Sequence, residues 1–373
     1  MRSFVARLSL MVVVPLVFSA CSATSTSPSR VPSPPATTTP GATATPAPPS
    51  ISAAPSASAA SKVDGQIVFE DAGKDFKYSQ IWIENADGSN VRKIVSDNFT
   101  DGGPVLSPDG HRVVFYRDSG DGFGRIMIVN VDGSDLHELD TGSRAKGCDA
   151  GVEGDGWSPD GRRLAFTRTC FAKGDFAKAA FLGQGLWTVN VDGTGLREVV
   201  QNAAPNPCAP PSYCVHVEDH RAGWSPDAKR LVFQRTDTST DPERSAIFTI
   251  AIDGKGLQQV TPWKLDANDP DWSPDGTLIA FNASAEPSPT QNIYTIQPDG
   301  TALTKLTNYN EDGQATFHPS WSPDGTQILF SHNPSTDGWG DFFVMNRDGS
   351  DLHILAATTL HENHAYWGRN PSP

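Results

Sequence analysis

"DPDWSPDGTLIAF", residues 269–281, decides the fold. Ser273-Pro274-Asp275-Gly276 is turn chemistry: Pro presets φ at the second position, Asp tolerates the third, and Gly accepts φ > 0 at the fourth. Beyond the turn, Ile279 and Phe281 alternate with Leu278 and Ala280, the period of a strand. The stretch therefore reads as strand, tight hairpin, strand.

The hairpin recurs as "LSPDGHRVVF" from Leu106, "WSPDGRRLAF" from Trp157, "WSPDAKRLVF" from Trp224 and "WSPDGTQILF" from Trp321, at spacings of 51, 67, 48 and 49 residues. Between the copies, short β-prone runs open at Ile81, Ile126, Leu186, Ile247, Ile293 and Phe342. Each meets an Asp-Gly turn, at 87–88, 132–133, 192–193, 253–254, 299–300 and 348–349. Apolar residues follow three and six positions after the Gly, as in Val91/Ile94, Leu136/Leu139, Leu257/Val260 and Leu352/Leu355. That makes six units of four strands. A unit of this length cannot bury both faces alone, so the units stack radially as the blades of an all-β, six-bladed β-propeller of four-stranded antiparallel sheets. No sustained 3.6-residue apolar period follows residue 62, which excludes the helical repeats. The first unit, "DGQIVF" at 64–69, lacks a Trp-bearing strand, and "HENHAYWGRNP" at 361–371 supplies a surplus one; pairing of these N- and C-terminal strands is expected to close the ring.

The Trp-Ser-Pro-Asp-Gly hairpin and the later Asp-Gly element resemble the TolB-like, WD-related propeller repeats of bacterial extracytoplasmic proteins, over residues 62–370. Leu106 in place of Trp and Ala228 in place of Gly depart from the pattern. The resemblance implies an innermost Trp strand, the SPDG turns on one face, and the loops that enter the Trp strands on the other. It leaves activity open, because propellers host binding proteins and enzymes alike.

Three regions are expected. Residues 1–20 carry Arg2 and Arg7, an apolar run from Leu8 to Phe18 and small residues, the pattern of a secretory signal. "FSAC" resembles the lipobox of bacterial lipoproteins, making Cys21 the lipid-bearing terminus; a simple cleaved secretion signal is the competing reading. Of residues 22–61, 36 of 40 are Ser, Thr, Ala or Pro, a composition that cannot form a core and reads as a disordered tether. Residues 62–373 are the propeller. The whole is a head on a stalk, extracytoplasmic and lipid-anchored to a bacterial membrane, with no other contact to it.

Charge narrows the partners. Residues 1–61 hold three Arg and no acidic residue, which leaves 26 basic against 43 acidic residues in the head, a net of −17. Nucleic acid is excluded for want of a basic footprint. An envelope protein or glycan is the expected partner of a monomeric head. With Cys21 reserved for lipid, Cys148, Cys170, Cys208 and Cys214 remain, an even number suited to an oxidising compartment. Cys148 lies about as far before the Ser158–Gly161 turn as Cys170 lies after it, so Cys148–Cys170 and Cys208–Cys214 are the expected disulfides; a zinc site is disfavoured by the lack of a C-x-x-C pair.

Both long insertions, 169–185 and 201–219, fall in the repeat of Trp157 and map to the face opposite the SPDG turns. Phe171, Phe176, Phe181, Tyr213 and, from another repeat, Trp339 sit there in polar or irregular loops, as interface anchors do. They could equally fold back over their own loops. At the channel mouth the candidates are His220, from the alternating His216-Val-Glu218-Asp-His220, and a ring of Asp269, His318 and His364, each three residues before a Trp. Such a ring suits a polar ligand or a divalent metal, against the plain alternative of solvated loop residues. "HENH" at 361–364 lacks the H-E-x-x-H spacing of zincins, and there is no G-x-S-x-G nucleophile elbow. A binding or scaffolding module without catalytic residues is therefore the leading expectation. A metal-dependent lyase or hydrolase of the channel mouth is the alternative.

Overall fold

The structure is a computed structural model. It describes residues 64–371 other than 74–76, 119, 121–123, 143–147, 152–155, 172–180, 209–216, 241, 285–289, 311–313, 334–339 and 356–361. The signal, Cys21 and the tether thus lie outside the described residues.

Six four-stranded antiparallel sheets account for the described strands. Blade 1 holds β1 (Gln66–Asp71), β2 (Gln80–Asn85), β3 (Arg92–Lys93) and the chain's last strand, β24 (Glu362–Gly368). Blade 2 is β4 (Thr100–Leu106), β5 (Arg112–Asp118), β6 (Gly124–Asn130) and β7 (His137–Glu138). Blade 3 is β8 (Cys148–Gly151), β9 (Arg163–Phe171), β10 (Phe181–Asn190) and β11 (Arg197–Cys208). Blade 4 is β12 (Val217–Trp224), β13 (Arg230–Asp237), β14 (Arg244–Ala251) and β15 (Gln258–Gln259). Blade 5 is β16 (Ala267–Trp272), β17 (Ile279–Ala283), β18 (Asn292–Ile296) and β19 (Thr304–Lys305). Blade 6 is β20 (Ala315–Trp321), β21 (Gln327–Asn333), β22 (Asp341–Asn346) and β23 (His353–Ile354).

The SPDG turns explain why one sequence recurs. In the first, the Gly110 N–H donates to the Ser107 carbonyl at 2.8 Å. The Ser107 hydroxyl donates to Asp109 at 2.6 Å and accepts from the Arg112 N–H at 2.9 Å. The same bonds recur around Ser158, Ser225, Ser273 and Ser322, so Ser and Asp satisfy the turn's own backbone.

Both faces of each second strand are buried, because each faces a neighbouring blade. Phe69, Phe115, Phe166, Phe233, Phe281 and Phe330, one per blade, are all fully buried, and Ala280 beside Phe281 is equally so. Phe281 packs with Val232 and Ile247 of blade 4, whereas Ala280 packs with Trp321 and Phe330 of blade 6. Six such apolar layers fill the six blade junctions. In the one between blades 6 and 1, Trp367 lies against Phe69, Leu329 and Phe342. There β24 pairs antiparallel with β1, Trp367 opposite Ile67.

The tryptophans also tie blade to blade: the indole N–H groups of Trp157, Trp224 and Trp321 donate to the carbonyls of Val105, Gly156 and Asp271 in the preceding blade. Of the apolar pairs after the Asp-Gly turns, only the inner member is buried as a rule. Ile94, Leu139 and Val260 are inside, while Val91, Leu136, Leu257 and Leu352 stay exposed because the outer strand is only two residues long.

Blade 3 departs from its siblings. β9, β10 and β11 run on past the usual strand length at the end opposite the Ser158–Gly161 turn. Phe181 there pairs with Phe171 on one side and Cys208 on the other. The inner ends of both insertions are therefore a β extension. Phe171 and Phe181 are strand residues, a correction to their reading as loop residues: the β-prone "RTCF" and "FLGQG" continue the ladder. Phe176, Tyr213, Trp339 and Cys214 lie outside the described residues.

Candidate functional site

Counting back three residues from the Trp of the innermost strands of blades 2, 4, 5, 6 and 1 gives Gly103 (before Leu106), Arg221, Asp269, His318 and His364; the corresponding Gly154 of blade 3 lies outside the described residues. All five hold left-handed backbone, with φ of 58°, 56°, 50°, 52° and 47°. The ladder register of these five innermost strands slips at the same place, between Gly102 and Val105, His220 and Gly223, Asn268 and Asp271, and Phe317 and Ser320; opposite His364 it slips between Val68 and Glu70. Each slip is a β-bulge that re-aims one side chain. Four of the five residues carry a Cβ, and left-handed backbone costs such residues about 1–2 kcal/mol each. Repeated strain at one level of a ring is a mark of function rather than of folding economy.

The bulges aim these residues at a cavity of about 50 Å³ on the axis, lined by all five innermost strands just described. Arg221 is its hub. Its Nε lies 3.2 Å from Asp269 Oδ1, and its Nη2 lies 3.0 Å from His364 Nε2. His364 Nδ1 is 2.7 Å from Glu70 Oε1, and the Gly103 N–H donates to Glu70 Oε2 at 3.0 Å. A guanidinium only donates, so His364 accepts at Nε2 and its Nδ1–H donates to Glu70, a neutral tautomer fixed by its two partners. Burial works against the Glu70 charge, but His364, the Gly103 N–H and Arg221 outweigh it and hold the carboxyl below its ordinary value.

His318 differs from the rest. It is 9% exposed and lines the cavity, its ring centroid 3.8 Å from that of His364. Among the described residues neither ring nitrogen makes a hydrogen bond, the nearest carboxylate oxygen, Asp269 Oδ2, being 3.6 Å from Nε2. Burial first, with the positive charge of Arg221 beside it, holds its pKa well below the imidazole range, so the ring is neutral at pH 7.

Of the channel-mouth candidates, Asp269, His318 and His364 come together. His220 does not: it precedes the bulge, lies beside Glu218 at 3.2 Å, and leaves its place in the cavity to Arg221. The His-x-Glu-x-His alternation drew attention to the wrong neighbour, although Arg221 stands three residues before Trp224, the count that picked out the others. Glu70 carried a weaker signal, as the acid that directly follows the apolar run Ile67–Phe69 of β1.

A divalent metal does not fit this ring. Both nitrogens of His364 are engaged and Arg221 sits on Asp269, which leaves His318 and one carboxylate oxygen. Among the described residues no group of three His, Cys, Asp or Glu side chains is placed to hold an ion. Cys170 is disulfide-bonded, and Cys148 stands directly opposite it in the β8–β9 register.

These features define a six-bladed propeller whose axis is plugged by a buried polar cluster. Residues 215–369 match the TolB beta propeller domain, so this part of the chain is similar to the TolB propeller. Over 96 residues it is 31% identical to the uncharacterized protein Atu1656 of Agrobacterium fabrum; the match takes in 24% of this chain and only 32% of that relative's length. Among solved structures, TolB from Acinetobacter baumannii is similar with a TM-score of 0.60 at 14% identity, covering 83% of this chain and 68% of that one. An oligogalacturonate lyase from Vibrio parahaemolyticus is similar with a TM-score of 0.50 at 12% identity, covering 79% and 75%. At these identities the likeness is one of fold and leaves activity open. Among the described residues no helix is long and apolar enough to cross a membrane.

Proposed function

We propose that the protein is an extracytoplasmic binding propeller, held to a membrane by lipid on Cys21. It captures an envelope protein or glycan on the face opposite the SPDG turns. The observation that carries this reading is the convergence of Arg221, Asp269, His318 and His364, each on a strained bulge, upon one axial cavity. The blade 3 extension projects from the end opposite the Ser158–Gly161 turn, which supports that face as the one built outward. Phe176, Tyr213 and Trp339 are its aromatic anchors in this proposal, and Cys148–Cys170 and Cys208–Cys214 staple the extension.

The test is capture from native envelope extract. Truncating central aromatic anchors costs about 2 kcal/mol or more of binding, so Tyr213→Ala with Trp339→Ala should weaken capture at least about tenfold while the melting temperature holds. Equal loss from changes in the Asp275-Gly276 turn, with folding intact, would move the binding face to the other side. Cys21→Ala should release the head from the detergent phase, and non-reducing peptide mapping should recover the two proposed disulfides.

A further inference from the structure

His318 is more than nine-tenths buried, faces the axial cavity, and has no hydrogen bond at either ring nitrogen among the described residues. A buried polar ring with both nitrogens open is costly unless something in the cavity meets it. The rest of the lining decides what that is.

An anion would face Asp269 and Asp271, with Glu70 just behind His364, against the single positive charge of Arg221. A metal ion would need ligands that Arg221 already occupies, since its guanidinium binds Asp269 and His364. A neutral group that donates and accepts fits all of the open valences. The neutral imidazole of His318 presents one N–H and one lone pair, Asp269 Oδ2 accepts, and Arg221 keeps N–H donors beyond those used on Asp269 and His364. A hydroxyl both donates and accepts, and two neighbouring hydroxyls can span a carboxylate and an imidazole. Pro104 and Pro319 add apolar surface at the same level, suited to the C–H face of a ring. At about 50 Å³ the cavity admits the edge of one ring rather than an entire chain.

We infer that the axial cavity is a saccharide subsite, in which His318, Asp269 and Arg221 hydrogen-bond two adjacent hydroxyls of a neutral, terminal sugar unit. This rests on the binding reading above and names the chemical class for the axial end of that face.

Saturation-transfer NMR on the full head tests it, with D-glucose, D-galactose, D-mannose and N-acetyl-D-glucosamine offered singly at millimolar concentration, and with sodium acetate and manganese chloride examined by thermal shift. At least one neutral sugar should receive saturation, and His318→Leu and Asp269→Asn should each reduce that signal at least fivefold with the circular-dichroism spectrum intact. Should His318→Leu fail to fold, His318→Asn and competition between sugars carry the same test. Absence of transfer to all four sugars, transfer unchanged in the variants, or stabilisation by acetate or manganese alone would overturn the inference. If the sugars fail while envelope capture persists, the ligand class falls and the binding reading stands; if capture also fails, both fall.

Discussion

The guanidinium Nη2 of Arg221 stands 3.0 Å from Nε2 of His364, although 143 residues separate them in the chain. They belong to blades 4 and 1, which face each other across a six-membered ring, so one hydrogen bond spans the axis. Its geometry demands a neutral His364 that donates to Glu70 on its other side. The axis at this level is thus a cross-brace as well as a site.

Joined in this way, the two side chains should couple energetically. In a double-mutant cycle with Arg221→Met and His364→Phe, the interaction energy should be about 1–2 kcal/mol by urea denaturation, because contacting members of one polar network are not additive. Strict additivity would show that the brace contributes nothing to folding.

Trp367 carries the seam. It is 2% exposed, packs in the layer between blades 6 and 1, and sits on the strand that pairs with β1. Trp367→Ala should cost about 3–5 kcal/mol, and removal of residues 360–373 should also expose the edge of β1. A melting temperature unmoved by the truncation would show that the ring does not depend on this strand.

The fold was legible because the blades repeat the same local chemistry: a Ser-Pro-Asp turn that satisfies itself in five of the six, and a buried Phe on the second strand of each. The axial site was legible only in part. Asp269, His318 and His364 follow from counting back to a Trp, but a β-bulge shifts which residue faces the axis, and no strand periodicity reveals a bulge. That is why His220 stood in for Arg221. Glu70 enters through pairing of strands nearly three hundred residues apart, which local sequence does not encode.

Ala228 replaces Gly at the fourth position of its turn and adopts φ of 57°. Its cost is backbone strain, so Ala228→Gly should stabilise the head by about 1 kcal/mol, the Cβ penalty of left-handed backbone less the chain entropy Gly brings to the unfolded state. Gly276→Ala, at φ of 73° with only ordinary contacts around the added Cβ, should lose a similar amount. Opposite signs of equal size in thermal melts are the expected result.

Glu84 is 2% exposed, and burial first, with Asp87 nearby, pushes its pKa up to about 7. A raised folded-state value favours the protonated form, so its contribution is complete below the unfolded value of about 4.5 and is lost as pH rises through 7. Glu84→Gln should therefore gain on the order of 2–3 kcal/mol relative to wild type at pH 8, and almost nothing at pH 4. His318 runs the other way. Its depressed pKa gives stability that is present above the usual imidazole value and lost as pH falls below it, a loss that His318→Asn should remove. Parallel stability curves for wild type and variants would refute both assignments.

The last prediction compares two arginines that occupy the same place in sibling blades. Arg117, two residues after the buried Phe115, holds Asp101 through Nε and Nη2 at 2.7 Å each, and Arg235, two after Phe233, holds Asp219 at 2.7 and 2.8 Å. Each Asp stands five residues before the Leu106 or Trp224 of its blade. Blade 3 has Arg168 two after Phe166, but the sequence puts Val152 five before Trp157. Arg168 is 3% exposed with Nε and Nη2 unpaired among the described residues, its guanidinium 4.7 Å over the Trp187 ring, and burial lowers its pKa. Arg117→Met strands a buried carboxylate and should cost about 3–5 kcal/mol, whereas Arg168→Met removes a buried charge that is hydrogen-bonded to no carboxylate among the described residues and feels only the field of Glu198, keeps most of the packing over Trp187, and should be neutral within about 1 kcal/mol or stabilising. Urea midpoints of the two variants decide it: comparable losses would mean that Arg168 has a partner of its own and that blade 3 is built like its siblings after all.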